Sequence, residues 1–261
     1  CVNMALLKVR GLTKNFGGLC AVSNVHMEIN EQELIGLIGP NGAGKTTLFN
    51  LLTGVYEPSE GKIELNVDGE MKEIGGMKPY AVTRMGLART FQNIRLFKNL
   101  TALDNVKIAM HKNIKYGTLQ AILRTPNYYR EEERVKQQAE ELLKVVHLYD
   151  KRNELASNLP YGEQRRLEIA RALATQPKVL FLDEPAAGMN PQETADLTRL
   201  IHQIKDDFHL TVILIEHDMS LVMTICERIY VLDYGKCIAN GVPEVIKNDK
   251  RVIKAYLGED I

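Results

Sequence analysis

Apolar residues follow two rhythms along this chain, and the change from one to the other divides it. From Leu6 to Ile38 they gather in short β-rich runs, LLKVRG, AVSNVHMEI and ELIGLIG, which suit strands joined by tight turns. The polar triplet Asn30 to Gln32 between the second and third run reads as a hairpin turn, and KIELNVDG from Lys62 reads as a further β segment. Beyond Phe97 the period lengthens. Within Glu131 to Leu148, the residues Val135, Ala139, Leu142, Leu143 and Val146 share one helical face, and Pro126 in RTPNYY marks a break ahead of that helix. From Val179 strand and helix alternate: VLFLD, a helix from Pro191 to about Asp206, TVILIE, and another helix after Met219. Asn190 as N-cap, Pro191 at the first helical position and Glu193 just after it specify the start of the first of these helices. Such alternation predicts an α/β fold with a mainly parallel sheet covered by helices.

Composition narrows the function classes. A chain of 261 residues, 45% of them hydrophobic, can bury a large core as one α/β domain or as a core with a smaller subdomain. The 33 basic and 33 acidic residues cancel and form no long run of one sign, which gives no electrostatic argument for nucleic acid or an anionic membrane surface as a partner. Cys1, Cys20, Cys226 and Cys237 are widely spaced without a CxxC pair, so buried, reduced thiols are expected rather than a zinc site or a disulfide framework. No secretory signal pattern opens the sequence and no apolar run approaches the roughly 20 residues that span a bilayer. An intracellular chain that is not itself transmembrane is expected.

The chemistry concentrates after the strand-like run Glu33 to Ile38, where the chain reads GPNGAGKTT: Gly39, Pro40, Asn41, Gly42, Ala43, Gly44, Lys45, Thr46 and Thr47. Glycines at this spacing let the backbone curl until consecutive N–H groups converge on an anion, and the helix that follows aims its positive end at the same point. Lys45 can then reach the outer phosphates of a nucleotide, and Thr46 can hold Mg2+. A second centre lies at the end of the apolar strand VLFL, where Asp183 and Glu184 place adjacent carboxylates at a sheet edge. A cation and a triphosphate account for both charges, with Asp183 holding magnesium through water and Glu184 polarising the attacking water. TVILIEHD likewise ends with His217, placed to touch a γ-phosphate and sense its loss.

With these motifs the chain resembles the ATP-binding-cassette (ABC) ATPases over nearly its whole length. GPNGAGKTT looks like the Walker A loop, RTFQN places Gln92 as the Q-loop glutamine, and LPYGEQRR from Leu159 stands at the signature position. VLFLDEP looks like Walker B with Glu184 in the catalytic position, IEHD makes His217 the switch histidine, and Phe16 stands where the family stacks an aromatic on adenine. The resemblance implies a P-loop NTPase core with an N-terminal antiparallel β subdomain and an inserted helical subdomain. In that picture one ABC domain spans residues 1–261, with residues 1–94 and 166–261 forming the nucleotide-binding core and 95–165 the helical and signature subdomain. It further implies ATP and Mg2+ as ligands, catalytic roles for Lys45, Glu184 and His217, a share in magnesium binding for Gln92 beside Thr46 and Asp183, and nucleotide contacts from Leu159, Gly162 and Glu163. Two positions depart from the pattern. Pro160 and Tyr161 replace the serine and first glycine of LSGGQ, which removes a hydroxyl and a backbone donor, so the ATP site completed by this signature is expected to turn over more slowly than its twin. Asn190 replaces an aspartate that usually follows Walker B.

The finer text, including FGGLCAV, RTFQNIRLF, NLPYGEQRRLEIARAL, DEPAAGMNP and IEHDMSLVM, is similar to the ATPase subunits of branched-chain amino acid importers of the LivG type. That branch implies a second ABC ATPase subunit facing this one, transmembrane permease subunits, a solute-binding protein acting indirectly from outside, and a peripheral position on the cytoplasmic side of the membrane. No nucleic acid is implied. An importer of urea or short amides, a lipopolysaccharide exporter, and a nucleotide-binding regulatory subunit without turnover stand as alternatives.

Overall fold

Strands from the first third of the chain sort into two different sheets, and the burial of each strand shows why. In the computed structural model, which describes residues 5–110 and 126–257, β1 (Leu7–Phe16) pairs antiparallel with β2 (Leu19–Ile29) and with β4 (Glu60–Val67), and β5 (Glu70–Glu73) extends β4. Along the second half of β2 buried and exposed residues alternate, the mark of a sheet with one covered face. By contrast β3 (Leu34–Ile38), β7 (Val179–Asp183) and β8 (Thr211–Ile215) are buried at every position. They form the centre of a six-stranded sheet of order β10-β9-β3-β8-β7-β6. In it β6 (Leu87–Arg89) and β9 (Arg228–Asp233) also run parallel, and β10 (Lys236–Gly241) closes an antiparallel edge. Unbroken apolar runs are what a parallel strand covered on both faces requires.

The turn at Asn30 to Gln32 is therefore a sheet-switching turn and corrects the hairpin expected from the sequence, because β2 pairs with β1 whereas β3 pairs with β8 and β9. Gln32 sits at φ 59. The Glu33 carboxylate accepts from the Asn30 backbone N–H and from Asn30 Nδ2, each at 2.9 Å, and the Gln32 N–H donates to Thr211 Oγ1 at 2.8 Å. Pro126 is also corrected, since it lies in the described helix Pro126–Val145 rather than in a break ahead of it. Cys20 is exposed, against the expectation of buried thiols, while Cys226 is buried and its thiol is pushed up to about 12 chiefly by that burial.

Contacts divide the chain into a first unit of residues 1–89, 178–184 and 201–261 and a second of residues 90–177 and 185–200. The first holds both sheets with α1 (Lys45–Leu52) and α2 (Pro79–Arg84). The second holds α3 (Ala102–Ala109), α4 (Pro126–Val145) and α5 (Tyr161–Leu173), and α6 (Pro191–Asp207) begins in it. The whole of α5, not its first residues alone, lies in the second unit, where it packs on α3 and α4. In the first unit, α1 is seated by Phe49, whose ring meets that of Phe181 edge to face at 5.2 Å, both fully buried. Truncating either ring to alanine is expected to cost about 3–5 kcal/mol, so the helix that carries Lys45 is held firmly to the strand that carries Asp183.

Candidate active site

The loop from Gly39 to Gly44 follows β3 and turns by virtue of its glycines. Gly39 lies at φ 152 and a Cβ there would stand 2.1 Å from the Leu232 carbonyl oxygen; Gly44, at φ 96, would carry one 2.5 Å from the carbonyl oxygen of Ala21. Only glycine permits these approaches. Helix α1 then starts at Lys45 with no side chain capping its N-terminus and no acidic residue in its first turn. Its first N–H groups and its dipole are thus left for an anion. Lys45 is 6% exposed, and its Nζ donates to the carbonyl oxygens of Gly39 at 2.6 Å and Pro40 at 2.9 Å. Burial pushes its ammonium below the usual lysine value, against the opposing pull of the Glu184 carboxylate.

Asp183 and Glu184 are adjacent in sequence but held by different partners. Asp183 ends β7, is buried, and its Oδ2 accepts from Arg89 at 2.7 Å. Glu184 leaves the strand at φ 46 with its backbone N–H donating to Ile215, and its Oε1 lies 2.6 Å from His217 Nε2. His217 follows β8, and Asp218 beside it caps α7 (Met219–Ile225), accepting from the N–H groups of Ser220 and Leu221. The first unit therefore brings together the glycine loop, Lys45, Thr46, Thr47, Asp183, Glu184 and His217. Phe16 ends β1 in the same unit at 42% exposure, edge to face with Tyr56 and with Lys14 Nζ 5.2 Å from its ring centre, so it is a surface aromatic and not a core residue.

The donor set suits Mg2+. Thr46 and Asp183 are hard oxygen donors, and no cluster of three His, Cys, Asp or Glu side chains that could hold a metal ion occurs among the described residues. Mg2+ takes hard oxygens of this kind, usually one or two from the protein with phosphate and water completing its shell.

Gln92, Leu159, Gly162 and Glu163 lie in the second unit. Leu159 is buried ahead of α5, the Glu163 carboxylate takes Lys151 Nζ at 2.8 Å on both oxygens, and a Cβ on Gly162 would come 3.2 Å from Glu193 Oε1. Glu193 and Asn190 exchange side-chain and backbone hydrogen bonds, both 2.9 Å, in a capping box at the start of α6. One organising residue of this unit escaped the sequence reading: Arg165, fully buried, donates to the carbonyl oxygens of Phe91 at 2.6 Å and Gln92 at 2.8 Å, to Tyr161 Oη at 3.0 Å and to Glu168 at 2.9 Å. Arg89 in the first unit escaped it too. The available signals were a charge closing the short apolar strand at LAR and an Arg–Glu pair at helical i,i+3 spacing.

Comparison with known proteins settles the family. Residues 22–187 match the family described as ABC transporter, and residues 236–261 match one described as branched-chain amino acid ATP-binding cassette transporter. The chain is an ABC transporter ATPase. Among curated relatives, the high-affinity branched-chain amino acid transport ATP-binding protein LivG of Salmonella typhimurium is 48% identical over 258 residues, 99% of this chain and 100% of LivG. Among solved structures, the ADP conformation of MJ1267, an ATP-binding cassette of an ABC transporter, superposes with a TM-score of 0.83 at 30% identity, covering 98% of this chain and 100% of that one. The dimeric post-hydrolysis state of the ATP-binding cassette MJ0796 bound to ADP and Pi matches at a TM-score of 0.74 and 25% identity, over 91% of this chain and 98% of that one. The α/β nucleotide-binding fold expected from the sequence is thus the fold of this ABC ATPase. Among the described residues no helix is long and apolar enough to cross a membrane.

Proposed function

We propose that this ABC ATPase energises the import of branched-chain amino acids as a peripheral subunit on the cytoplasmic face of a membrane permease. The observation that carries the reading is the 48% identity to LivG across essentially the full length of both chains, supported by the match of the C-terminal segment to the branched-chain family. In this reading the N–H groups of the glycine loop and of the first turn of α1 bind the phosphates of ATP, and Lys45 leaves its carbonyl partners to pair with the outer phosphates. Phe16 offers its exposed ring to the adenine. Thr46 and Asp183 would hold Mg2+, which when bound would neutralise charge developing on the phosphates. Glu184 takes a proton from the water whose oxygen attacks the γ-phosphorus; the new P–O bond forms as the bond to the β-phosphate oxygen breaks, and ADP leaves with that electron pair. His217, hydrogen-bonded to Glu184, orients that carboxylate and reports the loss of the γ-phosphate.

The catalytic unit is a dimer in this proposal, as in the MJ0796 cassette, with Leu159, Gly162 and Glu163 of each chain facing the nucleotide of the other. Two permease subunits then receive the work of closure and an external binding protein delivers the solute. Affinity purification of the tagged chain from its native membrane, with identification of what accompanies it, tests the proposal. Integral-membrane polypeptides and a second ATPase are expected, together with phosphate release stimulated by binding protein loaded with leucine, isoleucine or valine. Stimulation by urea alone, or partners belonging to a lipopolysaccharide exporter, would overturn it.

A further inference from the structure

Arg89 closes the short edge strand β6 next to β7, and its guanidinium makes contacts that a core packing role does not need. Its Nη2 donates to Asp183 Oδ2 at 2.7 Å, and the two side chains are 9% and 5% exposed. The other arm of the fork, Nη1, donates to Asn50 Oδ1 at 2.5 Å and Thr53 Oγ1 at 3.2 Å, at the far end of the helix that starts with Lys45. The guanidinium carbon also stands 5.7 Å from the centre of the Phe49 ring, which packs on Phe181 in the strand that delivers Asp183. One planar cation thus fixes the carboxylate at the end of β7 relative to the last turn of α1.

We propose that Arg89 is a positioning residue for magnesium: it fixes Asp183, through Asn50 and Thr53, relative to the phosphate helix, and so sets how tightly the divalent ion is held on the bound nucleotide. The ion pair occupies Oδ2 and leaves Oδ1 for a second partner. A carboxylate fixed in this way offers its remaining oxygen at one place, which an ion that demands near-octahedral geometry rewards. The forked donor matters because arginine can hold the carboxylate and the helix end in one plane, whereas a lysine ammonium has a single nitrogen to serve both. The inference rests on the proposed magnesium role of Asp183, and the test separates the two.

The measurement is equilibrium binding of ATP to the purified chain, without turnover, across a magnesium titration and again in excess EDTA, beside thermal unfolding. Arg89→Met is expected to raise the magnesium concentration for half-maximal tightening about tenfold, the usual scale for an outer partner of a metal ligand, with affinity in EDTA unchanged. Arg89→Lys should fall between wild type and Met. Asn50→Ala, which loosens the far anchor and leaves the buried charge pair in place, should shift the titration in the same direction and decides the matter should Arg89→Met not fold. An unchanged magnesium titration in Arg89→Lys and Asn50→Ala, or an equal loss of affinity in EDTA, would overturn the proposal by making Arg89 merely structural. Asp183→Asn serves as the reference. If it too leaves the magnesium titration unmoved, the reading of Asp183 fails and that of Arg89 with it; if it moves the titration and the Arg89 and Asn50 variants do not, only the Arg89 inference is lost.

Discussion

Replacing Glu184 by glutamine removes the proposed base while keeping the size and reach of the side chain. The swap conserves volume, leaves the φ 46 backbone and its hydrogen bond to Ile215 untouched, and still offers His217 an oxygen acceptor where the carboxylate now lies 2.6 Å from Nε2. What it removes is basicity and one negative charge. Loss of a positioned general base costs about 10²–10⁴ in rate, which at about 1.4 kcal/mol per decade is roughly 3–5.5 kcal/mol of barrier. Folding stability should hardly change, because the side chain is packed at the site and not in the core. ATP affinity should hold or improve, since a negative charge beside the triphosphate has gone. The charge also opposes the effect of burial on Lys45, so its removal moves that ammonium further below the usual lysine value. Phosphate release, ATP binding and thermal unfolding measured on the same preparation check the expectations for rate, affinity and stability. Hydrolysis at the wild-type rate would refute the assignment of the base. A fall in ATP affinity matching the fall in rate would show instead that Glu184 binds the nucleotide.

Lys45→Ala removes a charge-assisted contact to phosphate and should weaken ATP binding itself by about tenfold or more, read by calorimetry; unchanged affinity contradicts the role given to that lysine. Gly44→Ala forces an L-residue to φ 96 with its Cβ 2.5 Å from the Ala21 carbonyl oxygen. It should cost about 1–3 kcal/mol in denaturant unfolding and distort the phosphate loop, so weaker ATP binding is expected as well. Burial opposes ionisation of Glu33, but hydrogen bonds from Asn30 and the Arg228 guanidinium hold its carboxyl below the ordinary 4.5. With its folded value depressed, its contribution to stability is complete above 4.5 and is lost as pH falls through the lowered value. Denaturation midpoints of Glu33→Gln should accordingly fall less steeply than wild type in that acid window, and equal slopes would contradict the linkage.

What was legible in the sequence is what depends on near neighbours. The phosphate loop can be read from glycine spacing because the backbone angles that demand glycine are local, and α6 from Asn190, Pro191 and Glu193 because a capping box closes within one turn. The turn at Asn30 misled for the opposite reason. Its triplet is compatible with a hairpin, and only the burial of β3 on both faces, together with pairing to β8 and β9 more than half the chain away, sends the next strand into another sheet. Arg89 and Arg165 were illegible in the same way, since their partners Asp183 and Gln92 lie 94 and 73 positions off. The local signals, the arginine closing LAR and the Arg165–Glu168 pair at i,i+3, do not name the distant acceptors, because a guanidinium is satisfied by whatever acceptors the fold delivers to it. The residues proposed to bind nucleotide therefore announce themselves in short motifs, while the residues that hold those motifs in place emerge only once distant segments meet. This is why the Arg89 titration bears on how the metal ligand is held in place, which a substitution within the glycine loop does not isolate.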